Sequence, residues 1–237
     1  MRARLLLTCA LALCPVAAQT TKTIDLSTKN VRKKFCVIFA ARGGSATGHA
    51  FVLWGSEDNV RQRSTIKAYG LYPENEKDAC SSAIRRVPGA VVDESTNHGI
   101  ANITDELIVK VDESDFKRLL KVARSWQCKR EFALLSSDCV EFIRAIGDSL
   151  GLDMPHRTLL RWTPRAYVRA LLAGVSSGTV HLAEGDYEGS LMNGRPMGHG
   201  VLVGTDRSRI EATFWGADNY VVAKYERRML VGISKTP

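Results

Sequence analysis

The fold of this chain is decided by the stretch Leu134-Leu-Ser-Ser-Asp-Cys-Val-Glu-Phe-Ile-Arg-Ala-Ile-Gly-Asp-Ser-Leu-Gly151. Its apolar residues recur at helical spacing. These are Val140, Phe142, Ile143, Ile146 and Leu150. Asp138 is a favourable N-cap, and Glu141 three positions later completes a capping-box-like pair. The pattern therefore predicts a helix that begins at Cys139 and ends near Gly151.

Cys139 is the chemically notable residue of this predicted helix. A thiol in the first turn lies near unpaired backbone N–H groups and the positive end of the helix dipole, and both favour the thiolate. Cysteine is also among the most buried residue types, so an inert packing role is the alternative. Cys139 is thus a candidate nucleophile that needs a base.

His49 is the candidate for that base. It begins an apolar strand, with Gly48 before it and the small Ala50 after it. A neutral imidazole near the thiol would accept its proton and later protonate a leaving group. The alternative is a hydrogen-bonded core histidine.

A third residue that would orient the histidine is left unassigned. Folding the chain about a turn at Asp58 brings Ser64, Thr65 and Lys67 near His49, and none is a convincing partner.

The first eighteen residues predict a secretory signal peptide. Arg2 and Arg4 precede the apolar run Leu5–Leu13, and small residues precede a cleavage point near Ala18. We therefore expect an exported protein, periplasmic or extracellular. Residues 19–33 are expected to form an N-terminal segment before the folded domain.

Composition limits the classes of partner. The chain has 237 residues and a formal net charge of +8, with the basic residues spread along it. No basic stripe with interleaved aromatic residues occurs, so nucleic acid is not expected. Peripheral contact with an anionic membrane or cell wall stays open. No cofactor motif or metal-ligand spacing occurs, so neither a cofactor nor a metal is expected. The oligomeric state is undetermined.

The cysteines suggest one disulfide in an exported protein. Cys36 lies in an apolar strand and is expected to pack there, while Cys80 and Cys128 lie in polar surroundings. We expect a Cys80–Cys128 disulfide that leaves Cys139 free. Two disulfides that consume Cys139 are the alternative.

Strands and helices are predicted along most of the chain. Strands are expected at 34–41, 48–54, 64–69, near 84–92 and at 105–111, a helix capped by Ser114, and another from Pro164 to about Leu172.

Three short motifs carry a resemblance to a known family. They are Gly48-His-Ala-Phe-Val-Leu-Trp54, Gly70-Leu-Tyr-Pro73 and Leu135-Ser-Ser-Asp-Cys-Val-Glu-Phe142. They resemble the circularly permuted papain-like (NlpC-type) amidases, a broad group that includes the lecithin:retinol acyltransferase-like enzymes. The resemblance covers roughly residues 34–172. It implies an α+β fold with an antiparallel sheet packed on the nucleophile helix, Cys139 as nucleophile, His49 as general base, and a thioester intermediate.

A separate hairpin region follows, and we divide the chain into a domain at 34–176 and a region at 177–237. The tail contains Tyr187-Glu-Gly189, Asn193-Gly194 and Gly198-His-Gly200, which predict strand, turn and strand. It resembles a MORN (membrane occupation and recognition nexus) repeat with a degenerate second copy at Ile210-Glu-Ala212. One and a half repeats cannot form a solenoid alone, so the hairpins should dock on the preceding domain.

Three functions are compatible with these observations. The first is an exported cysteine hydrolase that cleaves amide bonds in peptides or peptidoglycan. The second is an acyl-ester hydrolase or acyltransferase acting on lipids. The third is a non-catalytic envelope-binding module that uses the MORN-like tail.

Overall fold

The computed structural model describes residues 19–28, 33–43, 48–57, 63–95, 102–129, 131–217, 220–224 and 229–234. The signal-peptide prediction for residues 1–18 lies outside these ranges. The described chain is a mixed α+β structure with two sheets and three α-helices, which confirms the α+β part of the predicted fold class. None of its helices is long and apolar enough to cross a membrane.

The first sheet has seven strands in the order β1-β6-β2-β3-β4-β5-β7. They are β1 (Thr20–Asp25), β2 (Lys34–Arg42), β3 (His49–Glu57), β4 (Arg63–Pro73), β5 (Val87–Asp93), β6 (Ile103–Val111) and β7 (Glu131–Phe132). All pairs are antiparallel except β1 with β6, which are parallel. The sheet is therefore mixed rather than purely antiparallel, because part of the segment 19–33 adds an edge strand.

Three helices pack against the first sheet: α1 (Glu113–Gln127), α2 (Cys139–Ser149) and α3 (Pro164–Gly174). The predicted starts of α2 and α3 are confirmed. The predicted cap of α1 is wrong by two residues: Asp112 is the N-cap, and its carbonyl oxygen accepts the backbone N–H of Phe116 at 3.0 Å.

Alternate residues of β3 face opposite sides of the first sheet. Ala50, Val52 and Trp54 are buried in the core that also contains helix residues. Phe51 and Leu53 are buried in a separate cluster formed with residues of β2 and β4. Both faces of β3 are thus removed from water, which explains the continuous apolar run in its sequence.

The second sheet is an antiparallel meander of six strands in the order β13-β12-β11-β10-β9-β8. They are β8 (Val175–Leu182), β9 (Gly185–Met192), β10 (Arg195–Gly204), β11 (Arg209–Ala217), β12 (Tyr220–Lys224) and β13 (Met229–Ser234). The predicted hairpin is confirmed: Asn193 and Gly194 have φ values of 49° and 76°, as a type I′ turn requires. Its membership in the MORN repeats stays a prediction.

The hairpin region contacts the first sheet and the segment after β1. Nε2 of His199 lies 2.7 Å from the carbonyl oxygen of Ser27, which also accepts the Thr213 hydroxyl at 3.1 Å. Met192 and Met197 are buried in the core beneath the helices. These contacts tie the second sheet to the segment that follows β1.

The expected Cys80–Cys128 disulfide is wrong. Both residues are free, exposed thiols. Cys80 caps the short 3-10 helix Ser81–Ala83, and Cys128 caps the end of α1, so each projects into solvent from a different element. Cys36 is fully buried in β2, as predicted.

Candidate active site

Helix α2 begins at Cys139 because Asp138 caps it. One carboxylate oxygen of Asp138 accepts the N–H groups of Val140 and Glu141 at 3.0 and 3.2 Å. The other accepts the N–H of Leu135 at 2.8 Å. Arg157 donates to both oxygens, at 2.8 and 2.7 Å. This bidentate pair with the almost fully buried Asp138 fixes the turn that presents the thiol.

The Cys139 thiol is nearly buried, with 7% of the residue exposed. Burial raises its pKa to about 12, and the neighbouring Asp138 carboxylate acts in the same direction. The backbone N–H of Ala50 and the Arg157 guanidinium oppose this rise but do not offset it. Desolvation therefore outweighs the effect of the helix terminus on the pKa of this thiol.

His49 is bound to a carboxylate that the sequence did not identify. Its Nε2 lies 3.2 Å from Oε1 of Glu94, a residue only 3% exposed. The other Glu94 oxygen lies 2.7 Å from an Arg42 nitrogen, and Arg42 also donates to the Tyr72 hydroxyl at 2.7 Å. The Tyr72 ring stacks on the His49 ring, with centroids 4.0 Å apart. Four polar side chains thus form one connected cluster.

The His49 imidazole is held in its neutral form. Burial lowers its pKa, and this effect exceeds the opposing one of Glu94. A carboxylate only accepts hydrogen bonds, so the neutral ring donates through Nε2 and keeps the lone pair of Nδ1 as an acceptor. Among the hydrogen bonds of the described residues, the ring uses Nε2 alone.

Gly70 makes room for the His49–Glu94 pair. A Cβ atom at this position would collide with Oε1 of Glu94 and with Nε2 of His49. This close approach gives the Gly70-Leu-Tyr-Pro73 motif a steric role beside the histidine.

The register of β4 explains why Tyr72 and Glu94 were not predicted as partners of His49. Val52 pairs with Tyr69, and the register shifts by one residue between Trp54 and Gly55. Continued along both strands, this register puts Tyr72 opposite His49. The strand was expected to end at Tyr69, but it runs on to Pro73. The turn predicted at Asp58 lies outside the described residues.

The three residues expected near His49 lie elsewhere along β4. The Ser64 hydroxyl lies 3.1 Å from the Ser56 hydroxyl, and the Lys67 amine donates to Asp93 at 2.7 Å. Thr65 is opposite Gly55. Glu94, by contrast, directly follows β5. The strand predicted near 84–92 is the sequence signal from which the position of Glu94 at the end of a strand could have been inferred.

His49 and Cys139 approach the start of β3 from opposite faces. The sulfur lies against the backbone N–H of Ala50 and shares the helix-side core with that residue. The His49 ring lies parallel to Phe51, at 5.9 Å, a residue of the cluster on the other face. No hydrogen bond joins the ring to the sulfur within the described residues. The structure brings the two to neighbouring residues of one strand without pairing them.

Two serines lie in the turn that precedes α2. Ser137 is buried and donates its backbone N–H to Ala133 at 2.9 Å, whereas Ser136 is exposed. The amide of Cys139 opens the helix.

A second polar cluster is structural. Asp105 is fully buried and accepts from Arg165 and Arg169 of α3, each at 3.0 Å. It lines an open surface pocket of about 250 Å³. Both guanidinium groups are already paired with this carboxylate. The two ion pairs therefore anchor α3 on β6.

Comparison of the chain with protein-family models, with curated proteins and with solved structures finds no match. The assignment of a function therefore depends on the chemistry of Cys139, His49 and Glu94.

Proposed function

We propose that the protein is a cysteine hydrolase in which Cys139 is the nucleophile, His49 the general base and Glu94 a positioning residue for His49. One observation carries the proposal. The His49 ring is held neutral and oriented through Nε2 by a buried carboxylate, while the Cys139 thiol lies against the amide of the next residue, Ala50.

The reaction follows from these protonation states. His49 Nδ1 accepts the thiol proton as the sulfur attacks the substrate carbonyl carbon. The imidazolium then protonates the departing amine, which leaves a thioester on Cys139. Water attacks the thioester, His49 accepts the water proton, and the acid product leaves as the thiol is restored. The first step requires a rearrangement at the start of β3 that brings Sγ and Nδ1 together, since at rest they lie on opposite faces of this strand.

Peptide amides, including those of peptidoglycan, are the substrates we propose, and export by the leader at residues 1–18 gives access to them. Both proposals are supported by the sequence motifs alone. An acyl ester on a lipid would undergo the same chemistry and is the alternative substrate.

The decisive experiment traps the thioester. Purified protein is incubated with peptidoglycan peptides and with acyl esters, quenched in acid and mapped by mass spectrometry. We expect an adduct on Cys139 that hydroxylamine removes and that is lost in His49→Ala. Cys128→Ser and His181→Ala are matched controls, because both residues are exposed and outside the site. Adducts on every exposed thiol, or none on Cys139, would exclude the hydrolase.

A non-catalytic module is the second candidate, favoured by the raised pKa and the burial of Cys139. The variant Cys139→Ser separates the two. The hydrolase requires a folded variant without turnover, whereas unfolding of the variant assigns the thiol a packing role.

A further inference from the structure

Large apolar side chains are exposed around the start of α2. Of the seven large hydrophobic residues that are exposed in the described ranges, four belong to turns that meet there. They are Ile84, Leu135, Leu160 and Trp162, with 89%, 53%, 89% and 41% of their surface exposed. We call these four residues the apolar rim.

One half of the rim is joined by backbone hydrogen bonds. The N–H of Leu134 donates to the carbonyl oxygen of Ser82 at 3.0 Å, so the turn that carries Ile84 lies beside Leu135. The N–H of Leu135 donates in turn to Asp138 at 2.8 Å. Leu135 has a φ of 73°, which a leucine adopts at a cost. This hydrogen bond holds its side chain outward in spite of that cost.

The other half is joined through Arg157. This side chain binds Asp138 and also donates to the carbonyl oxygen of Trp162 at 3.1 Å. Leu160 lies two residues before Trp162, in the short 3-10 helix Leu159–Arg161. Both halves of the rim therefore converge on Asp138, the residue that precedes Cys139.

Two exposed arginines lie beside the rim residues in the chain. Arg85 follows Ile84, and Arg161 stands between Leu160 and Trp162. The three segments 81–88, 132–137 and 157–162 contain four arginines and no acidic residue, and one of the four, Arg157, is paired with Asp138. Glu131 pairs with Arg86 at 2.7 Å, but Arg85 is 3.9 Å from its nearest carboxylate and 64% exposed. Exposed apolar side chains beside arginines match the chemistry of a membrane interface with anionic headgroups.

We propose that the apolar rim docks the protein on the surface of an anionic lipid bilayer. The aliphatic side chains and the Trp162 ring enter the interface, while Arg85 and Arg161 contact lipid phosphates. Such docking turns the start of α2, and with it Cys139, toward the membrane. The docking does not depend on the hydrolase activity and goes beyond it.

Flotation of the full chain with lipid vesicles tests the docking. Vesicles of equal parts phosphatidylcholine and phosphatidylglycerol should bind the protein, and vesicles of phosphatidylcholine alone should bind it less. Leu160→Ala should weaken partition by about tenfold or more, because it removes three buried carbons from the interface. Arg161→Gln should weaken it by about fivefold, the effect of one arginine near an anionic surface.

Controls away from the rim make the test specific. Val203→Ala and Arg195→Gln change an exposed apolar residue and an exposed arginine of the second sheet and should leave binding unchanged. Cys139→Ser should also bind as the parent does, which separates docking from catalysis. The proposal is overturned if the protein does not bind the anionic vesicles, or if control and rim variants lose vesicle binding equally. It is also overturned if the rim variants impair only the turnover of a soluble peptide, or if they abolish self-association of the protein instead of vesicle binding.

Discussion

Replacing Glu94 by glutamine removes the buried charge that organises the candidate site. The substitution keeps the shape of the side chain, so its effect reports on charge and hydrogen bonding. Glu94 is 3% exposed, and its two oxygens contact His49 at 3.2 Å and Arg42 at 2.7 Å. Glutamine removes the carboxylate that faces the Arg42 guanidinium at 2.7 Å, and the Arg42 side chain is 24% exposed.

The expected loss of stability in Glu94→Gln depends on how exposed the Arg42 guanidinium is. Breaking a fully buried ion pair costs about 3–5 kcal/mol. Arg42 retains 24% of its side-chain exposure and its hydrogen bond to Tyr72, so the cost falls to about 2 kcal/mol. Urea unfolding followed by circular dichroism measures this difference. A change below about 0.5 kcal/mol would refute the view that the pair is buried and coupled.

The same substitution should also change His49. Glu94 raises the pKa of His49 against the stronger effect of burial, so this pKa falls further in Glu94→Gln. Glutamine can donate to Nε2, which permits the ring to carry its proton on Nδ1 and removes the acceptor for the thiol. Turnover should then fall by about a thousandfold or more. Glu131→Gln, in an exposed pair with Arg86, is the matched control and should change neither quantity.

Three further outcomes follow from the same geometry. Native Cys139 should react with iodoacetamide at neutral pH about a thousandfold more slowly than the exposed Cys80, because burial raises its pKa to about 12. The free energy of unfolding should be constant between about pH 6.5 and about pH 8 and should decrease below that range, because the folded protein lowers the pKa of His49 and the unfolded chain takes up the proton first. Asp138→Ala should cost about 3 kcal/mol, because it removes the α2 cap and leaves Arg157 unpaired.

Each outcome has a measurement and a contrary result. Peptide mapping after timed alkylation follows the thiols, and equal rates at both cysteines would contradict the burial of Cys139. In His49→Gln the free energy of unfolding should depend less steeply on pH just below pH 6.5. An unchanged slope would mean that other groups cause the loss of stability. Calorimetry compares Asp138→Ala with Glu113→Ala at the exposed start of α1, and equal small losses would contradict the role of Asp138.

The local features of the candidate site could be predicted from sequence because they depend on neighbours along the chain. The cap at Asp138 satisfies N–H groups two and three residues away, so a short motif located the start of α2. The strand that begins at His49 and the turn at Asn193-Gly194 likewise depend on local patterns of polarity and backbone freedom.

The partners of His49 and the protonation of Cys139 are properties of the tertiary structure. Glu94 and His49 are 45 positions apart in the sequence. They come together because of the pairing register of β3 with β4, which includes a one-residue shift. The pKa of Cys139 depends on how much water the sheet excludes, and the helix terminus alone predicts the opposite direction. The sequence by itself determined which two residues are the candidates for catalysis. Only the tertiary structure decided their partners and charges, because hydrogen-bond geometry and desolvation arise when distant segments pack together.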